Sequence, residues 1–174
     1  MQQMSTSMAV LGENVDESGA RVDRRGVDLV EDEDHGAVGD LASKDQAAAV
    51  RALAAKYGYL DRDRVGVWGW SGGGSATLNL MFQYPQIYKT GIAIAAVGNQ
   101  LTYDNIYQER YMGLPQENRQ DFIKGSPITY AKNLRGNLLY IHGTGDDNVH
   151  YNNSEMLVNE LVRNKKIFQI ILFF

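Results

Sequence analysis

The chain has 174 residues, close to the size of one domain, and its 44% hydrophobic and 22% charged residues exclude disordered and fibrous proteins. A formal net charge of −4 excludes a strongly basic surface for nucleic acid or an anionic membrane, so we expect a peptide or small molecule as partner. The absence of cysteine excludes disulfides, thiolate metal ligands and a thiol nucleophile.

Residues 1–39 form a poorly patterned N-terminal segment. They carry many charges and glycines with weak periodicity, and the one element that we predict there is a short strand near 20–22. No basic start precedes an apolar core, so we do not expect a secretory signal, and the longest apolar run, IFQIILFF, is too short to cross a bilayer. The sequence indicates no compartment. We place the remainder, 40–174, in a second unit.

Helices and strands alternate in that second unit. The capping-box pattern Ser43-Lys44-Asp45-Gln46 predicts the start of a helix that Gly58 stops. A strand over 65–68, a helix over 76–83, strands over 91–97 and 138–143, a helix capped by Asn152 or Asn153 and a strand over 167–174 follow. The continuous apolar run 91–97 is typical of a strand buried on both faces. This alternation predicts an α/β fold with a doubly wound, mainly parallel sheet.

A glycine-rich turn directly after the strand at 65–68 contains the candidate nucleophile. Gly69-Trp70-Ser71-Gly72-Gly73 fits G-x-S-x-G, in which serine sits on a strained turn between strand and helix and larger neighbours would collide. The Gly72 amide would then point at an oxyanion, helped by the field of the helix N-terminus. We interpret Ser71 as a nucleophile; the alternative is a small residue in a structural turn.

The loop HGTGDDNVH follows the strand at 138–143 and contains candidates for the acid of a hydrolase triad, which comes after the serine in this fold. Asp146 and Asp147 both qualify, and the alternative is that they are solvated turn formers. A metal site built from these acids with His142 and His150 matches no strong ligand spacing, so we expect no metal.

The third triad member, a histidine after the acid and the final strand, has no candidate at the expected place. His142 lies at a strand end, where we expect a structural residue, and His35 lies in the poorly patterned segment. His150 is four residues from Asp146, and such close neighbours seldom form a line of nucleophile, base and orienting group. We expect none of the three to be the native base.

Three stretches, DRDRVGVWGWSGGGSATL, YDNIYQERYMGLPQEN and LLYIHGTGDDNVHYNNSEMLV, carry a family resemblance. They resemble the catalytic domain of the prolyl oligopeptidase family, closest to its dipeptidyl peptidase IV branch, over about residues 40–174. The resemblance implies an α/β-hydrolase fold, here incomplete at both ends, and no cofactor. It also implies that Ser71 is the nucleophile, Asp146 the triad acid and Asp147 a structural residue.

The same resemblance implies a substrate pocket. Val97, Tyr103, Tyr107 and Val149 fall where the family lines a proline-sized pocket, and Asn148 falls where it contacts the substrate backbone. Flat aromatic faces suit a pyrrolidine ring, although the two tyrosines are also spaced for a helical pair packing on the core. The chain departs from the family at Gly72, where an aromatic residue is usual, and at Gln100, where a tryptophan is usual, and both changes predict a looser pocket.

Two functions are consistent with these patterns. The first is a serine-type peptidase, a hydrolase of peptides or small esters that works through a serine acyl-enzyme, present here as a fragment without its catalytic histidine and nearly inactive alone. The alternative is a non-catalytic remnant or binding module that keeps the hydrolase fold. In either case open sheet edges predict association, including homo-oligomers.

Overall fold

A computed structural model describes residues 39–174 and a two-residue strand near the N-terminus. The strands are β1 (Thr6–Ser7), β2 (Gly66–Trp70), β3 (Thr90–Ile94), β4 (Asn137–Gly143) and β5 (Gln169–Phe173). The α-helices are α1 (Asp40–Lys56), α2 (Gly72–Gln83), α3 (Asn105–Met112), α4 (Arg119–Gly125) and α5 (Asn152–Arg163), and two 3₁₀ helices span Gln100–Thr102 and Pro127–Asn133. The strand predicted near 20–22 lies outside the described residues.

The five strands form one sheet in the order β1-β2-β3-β4-β5. β1 pairs antiparallel with β2, and the other three pairings are parallel, with Trp68 opposite Ile92 and Ile92 opposite Leu139. The predicted α/β fold with a mainly parallel sheet is confirmed. Because β2, β3 and β4 point the same way, the residues that follow them meet at one edge of the sheet, where ligands of such folds bind.

The core lies between one face of the sheet and the helices. Inward-facing strand residues, with Val67, Ala93 and Tyr140 in the centre, pack with buried residues of α1, α2 and α5. On the opposite face, no helix within the described residues covers the strands. The prediction that 91–97 is a strand buried on both faces is therefore wrong, because Ile92 is 36% exposed and the strand ends at Ile94. Ala95, with φ of 45°, turns the chain away.

Two predicted helix caps are also wrong. α1 begins at Asp40 after Gly39, so Ser43 lies inside the helix, buried, and its hydroxyl has no partner within the described residues. α5 follows Tyr151, which places Asn152 and Asn153 in its first turn. The Asn153 side chain is instead engaged by the loop that follows β3, where it accepts hydrogen bonds from two backbone amides. The burial of Ser43 and the tertiary hydrogen bonds of Asn153 outweigh the local capping patterns at these two helix starts.

Candidate active site

Ser71 lies between the end of β2 and the start of α2 in a strained backbone conformation. Its φ of 55° and ψ of −119° place it in a region that residues other than glycine rarely adopt. Its N–H donates to the carbonyl of Ile94 at 2.8 Å, which ties the turn to the end of the neighbouring strand. The turn presents the Ser71 side chain at the ligand-binding edge of the sheet.

Close backbone contacts explain the glycines around Ser71. A Cβ atom added to Gly69 would lie 2.3 Å from the carbonyl oxygen of Gly73, and one added to Gly74 would lie 2.7 Å from that of Ile94. Both distances are shorter than any tolerated contact, and the clashing atoms are backbone. The fold therefore requires glycine at both positions, and the contact at Gly69 agrees with the steric reason for the sequence motif.

A cavity of about 80 Å³ opens beside Ser71. Besides Ser71, its walls include Gly72 and three of the predicted pocket residues, Val97, Tyr103 and Tyr107. The buried side chain of Gln100 also contributes to the lining. The structure therefore brings Val97 and both tyrosines to the serine.

Tyr103 and Tyr107 form an edge-to-face pair at the start of α3, with ring centroids 5.6 Å apart. Both rings are half-buried and face the cavity, so they do not form a helical pair on the core. Burial raises the pKa of both phenols, which keeps them protonated and able to donate at neutral pH. The Tyr103 hydroxyl donates to Oδ1 of Asn148 at 2.9 Å and so joins the segment that precedes α3 to the acid-bearing loop.

The two adjacent acids of that loop differ in their surroundings. Oδ1 of Asp146 accepts hydrogen bonds from the amides of Asn148 at 3.0 Å and Val149 at 2.9 Å, whereas Asp147 is exposed. Val149 is buried and lies outside the cavity lining, so its side chain packs beneath the loop. The geometry holds Asp146 in one orientation and leaves Asp147 to solvent.

Two side chains to which the sequence patterns assigned no role at the site hold the cavity wall in place. Ser75, in the first turn of α2, accepts a hydrogen bond from the N–H of Val97 at 2.9 Å. Asn153 accepts from the amides of Gly98 and Asn99, each at 3.2 Å. No spacing rule in one sequence indicates these partners, because the bonds join segments 22 or more residues apart.

Both described histidines contact groups other than Ser71 through their ring nitrogens. His142 is 1% exposed and its ring contacts Ser154, Asp146 and Val149. His150 is exposed and its Nδ1 accepts from the N–H of Asn152 at 3.2 Å. Among the described residues, no histidine nitrogen hydrogen-bonds to the Ser71 hydroxyl.

The described part of the chain has neither a cluster of metal-ligating side chains nor a membrane-spanning helix. No group of three or more histidine, aspartate and glutamate side chains there is arranged to hold a metal ion. No helix among those described is both long enough and apolar enough to cross a membrane.

Comparison with known proteins gives matches over most of the chain. The model of the prolyl oligopeptidase family matches residues 28–174. Venom dipeptidyl peptidase 4 of Apis mellifera is 38% identical over 136 residues, covering 76% of this chain and 18% of that protein. Dipeptidyl peptidase 4 of Sus scrofa is 40% identical over 128 residues, covering 72% of this chain and 17% of that protein.

A crystal structure of dipeptidyl peptidase 4 from Porphyromonas gingivalis matches with a TM-score of 0.75 and 38% identity, covering 78% of this chain and 19% of that one. The chain thus spans less than a fifth of the length of these relatives. The resemblance to the dipeptidyl peptidase IV branch is confirmed. From this agreement in sequence and fold it follows that the chain belongs to the prolyl oligopeptidase family and has the α/β-hydrolase fold.

Proposed function

We propose that this chain carries the nucleophile, the acid and the main pocket of a serine peptidase of the dipeptidyl or prolyl peptidase type. The observation that supports this most strongly is Ser71, held in a strained turn at the mouth of a cavity with two tyrosines in its wall. Strain of this kind persists where the surroundings over-determine the backbone, as the Ile94 carbonyl and the neighbouring glycines do here.

The proposed reaction is acyl transfer. Ser71 Oγ attacks the scissile carbonyl carbon while a histidine base takes its proton, and the negative charge moves onto the carbonyl oxygen. The N–H of Gly72, at the first position of α2, donates to that oxygen, since amides in the first turn of a helix have no partner within the helix. The histidine then gives its proton to the leaving amine, and water releases the acyl group by the same steps.

The proposed substrate is a peptide, or a small ester, with a compact apolar residue before the scissile bond. Val97 and the two tyrosine rings offer apolar surface beside Ser71, and the flat faces of the rings suit a compact apolar ring such as that of proline. The relatives named dipeptidyl peptidase 4 support this class. In this proposal Asn148, whose Oδ1 accepts from the Tyr103 hydroxyl, contacts the substrate backbone.

The base in this proposal comes from outside these 174 residues. Both nitrogens of His142 are engaged by other groups, and His150 is an exposed side chain turned to the N-terminus of α5. Removing the histidine of a serine triad lowers turnover by about 10⁶-fold, so the 174-residue chain alone is expected to be nearly inactive.

The test measures labelling of Ser71 by a fluorophosphonate probe, read by mass spectrometry of the modified peptide. A longer form of the protein, with the sequence on either side of these residues, is expected to label rapidly, and Ser71→Ala is expected to abolish labelling. Ser43→Ala is the matched control, because its hydroxyl is buried in α1 and has no partner among the described residues. Failure of the longer form to label would favour the non-catalytic alternative.

The same probe applied to the 174-residue chain tests the origin of the base. Slow labelling, near that of free serine, is expected. Rapid labelling that His150→Ala abolishes would overturn an external base and assign that task to His150.

A further inference from the structure

His142 is a buried polar residue beneath the acid-bearing loop. It is the penultimate residue of β4, it is 1% exposed, and its two ring nitrogens face opposite sides. Nε2 lies 3.1 Å from Oδ2 of Asp146 and 2.9 Å from the carbonyl oxygen of Val149. Nδ1 contacts Oγ of Ser154 in α5. An imidazole buried without partners would destabilise the fold, so these contacts account for its presence.

The neighbours of Nε2 determine which nitrogen carries the proton there. A backbone carbonyl and an ionised carboxylate only accept hydrogen bonds, so Nε2 must be the N–H donor to both. This fixes the direction of the contact with Asp146: the ring donates and the carboxylate accepts.

The far side of the ring is held by a chain of hydroxyls. With the ring proton on Nε2, Ser154 donates its one proton to Nδ1; its Oγ also lies 3.0 Å from the Tyr140 hydroxyl, which donates to the carbonyl of Ala96 at 3.2 Å. All of these side chains are buried. The imidazole is therefore fixed between β4 and α5 and does not rotate freely.

We propose that His142 is a positioning residue for Asp146, through the N–H that it donates to Oδ2. Two backbone amides hold Oδ1, and without a donor to Oδ2 the carboxylate could turn about that single anchored oxygen. With the donor, both oxygens are held and one rotamer is selected. The inference rests on the proposed function, in which Asp146 orients the histidine base, because a base aligned by a carboxylate needs that carboxylate in one orientation.

The test measures the χ1 rotamer of Asp146 by three-bond N–Cγ and C′–Cγ couplings in the isotope-labelled 174-residue chain. His142→Phe keeps a ring and removes the donor, whereas His142→Gln places an amide N–H near the position of Nε2. The wild type and His142→Gln are expected to show one rotamer. His142→Phe is expected to show averaged couplings and about tenfold faster hydrogen exchange at the amides of Asn148 and Val149. His150→Phe, on the same loop but exposed, is the matched control and should behave as the wild type.

A single rotamer in His142→Phe would overturn the proposal, and so would averaging in both variants, since the donor would not then be the cause. If His142→Phe does not fold, the ¹⁵N spectrum of the wild-type imidazole decides: a proton on Nε2 supports the proposal, and a bare Nε2 at neutral pH contradicts it. Neither measurement needs turnover, so failure of Ser71 labelling and failure of this inference are separate results.

Discussion

Tyr88 and Tyr140 are both fully buried, but their hydroxyls have different surroundings. The Tyr140 hydroxyl donates to the carbonyl of Ala96 and contacts Ser154 Oγ, whereas that of Tyr88 has no partner within the described residues. A buried hydroxyl without a partner destabilises the fold. We therefore predict that Tyr88→Phe raises the free energy of unfolding at pH 7 by about 1 kcal/mol and that Tyr140→Phe lowers it by about 1–2 kcal/mol. Urea denaturation measures both.

Alkaline pH provides a second readout for the same pair. Burial raises the pKa of both tyrosines to about 12, above the ordinary value of 10.0 for a tyrosine. The unfolded chain loses these protons first as the pH rises, so the free energy of unfolding falls from about pH 10 to pH 12. Tyr88→Phe removes one of the two groups, and its stability should fall less steeply. Equal slopes in wild type and variant, or a loss of stability in Tyr88→Phe at pH 7, would contradict the prediction.

Single residues whose environment is set by their nearest neighbours were predictable from the sequence. Gly69 is required by its contact with Gly73 within one turn, and a sequence motif reflects such local contacts. The choice between Asp146 and Asp147 was not decided by the residues themselves, because it depends on the amides of the folded loop and on His142 beneath it. His142 was expected to be a structural residue, and its contact with Asp146 was visible only in the fold.

At the scale of elements, α5 ends in a Schellman motif, and a lysine occupies the position at which this motif usually has glycine. The N–H of Lys166 donates to Leu161 and that of Lys165 donates to Val162, each at 2.9 Å, which is the Schellman pattern. Lys165 has a φ of 54°, a conformation that favours glycine. Lys165→Gly is therefore predicted to raise the free energy of unfolding by about 0.4–1 kcal/mol.

Lys166→Gly is the matched control in urea denaturation, because this half-buried neighbour does not have a positive φ. It should leave stability unchanged or lower it by up to about 1 kcal/mol. Equal effects of the two substitutions, or a destabilised Lys165→Gly, would show that the lysine conformation is not strained.

The elements that the sequence predicted correctly are those with an apolar pattern of their own, and the missed ones lack such a pattern. β2, β4, β5, α1 and α5 were located to within a few residues. α3 was not predicted as an element, because its buried residues are Gln108 and Met112, and a polar residue at one buried position interrupts the apolar pattern of the sequence. α4 buries only Phe122 and Gly125. Tertiary contacts stabilise both helices, and such contacts cannot be predicted from the local periodicity of the sequence.

For the whole molecule, the dominant feature is the sheet face opposite the core. The pairing register places Trp70, Ile94, Ile141 and Ile171 in one row across four strands. Trp70 is 65% exposed, and Phe173, on the same face of β5, is 62% exposed. Contiguous apolar surface of this kind promotes association in water.

We predict that the 174-residue chain self-associates through this face at micromolar concentration, as measured by sedimentation velocity. The double variant Trp70→Lys/Phe173→Lys should shift the population toward monomer, because two ammonium groups would have to be desolvated in any face-to-face contact. Ile106→Lys is the matched control, since Ile106 is 89% exposed but lies on α3, away from this face. Association that persists in the double variant, or that Ile106→Lys removes equally well, would assign the contact to another surface, with the open edge of β5 the next to test.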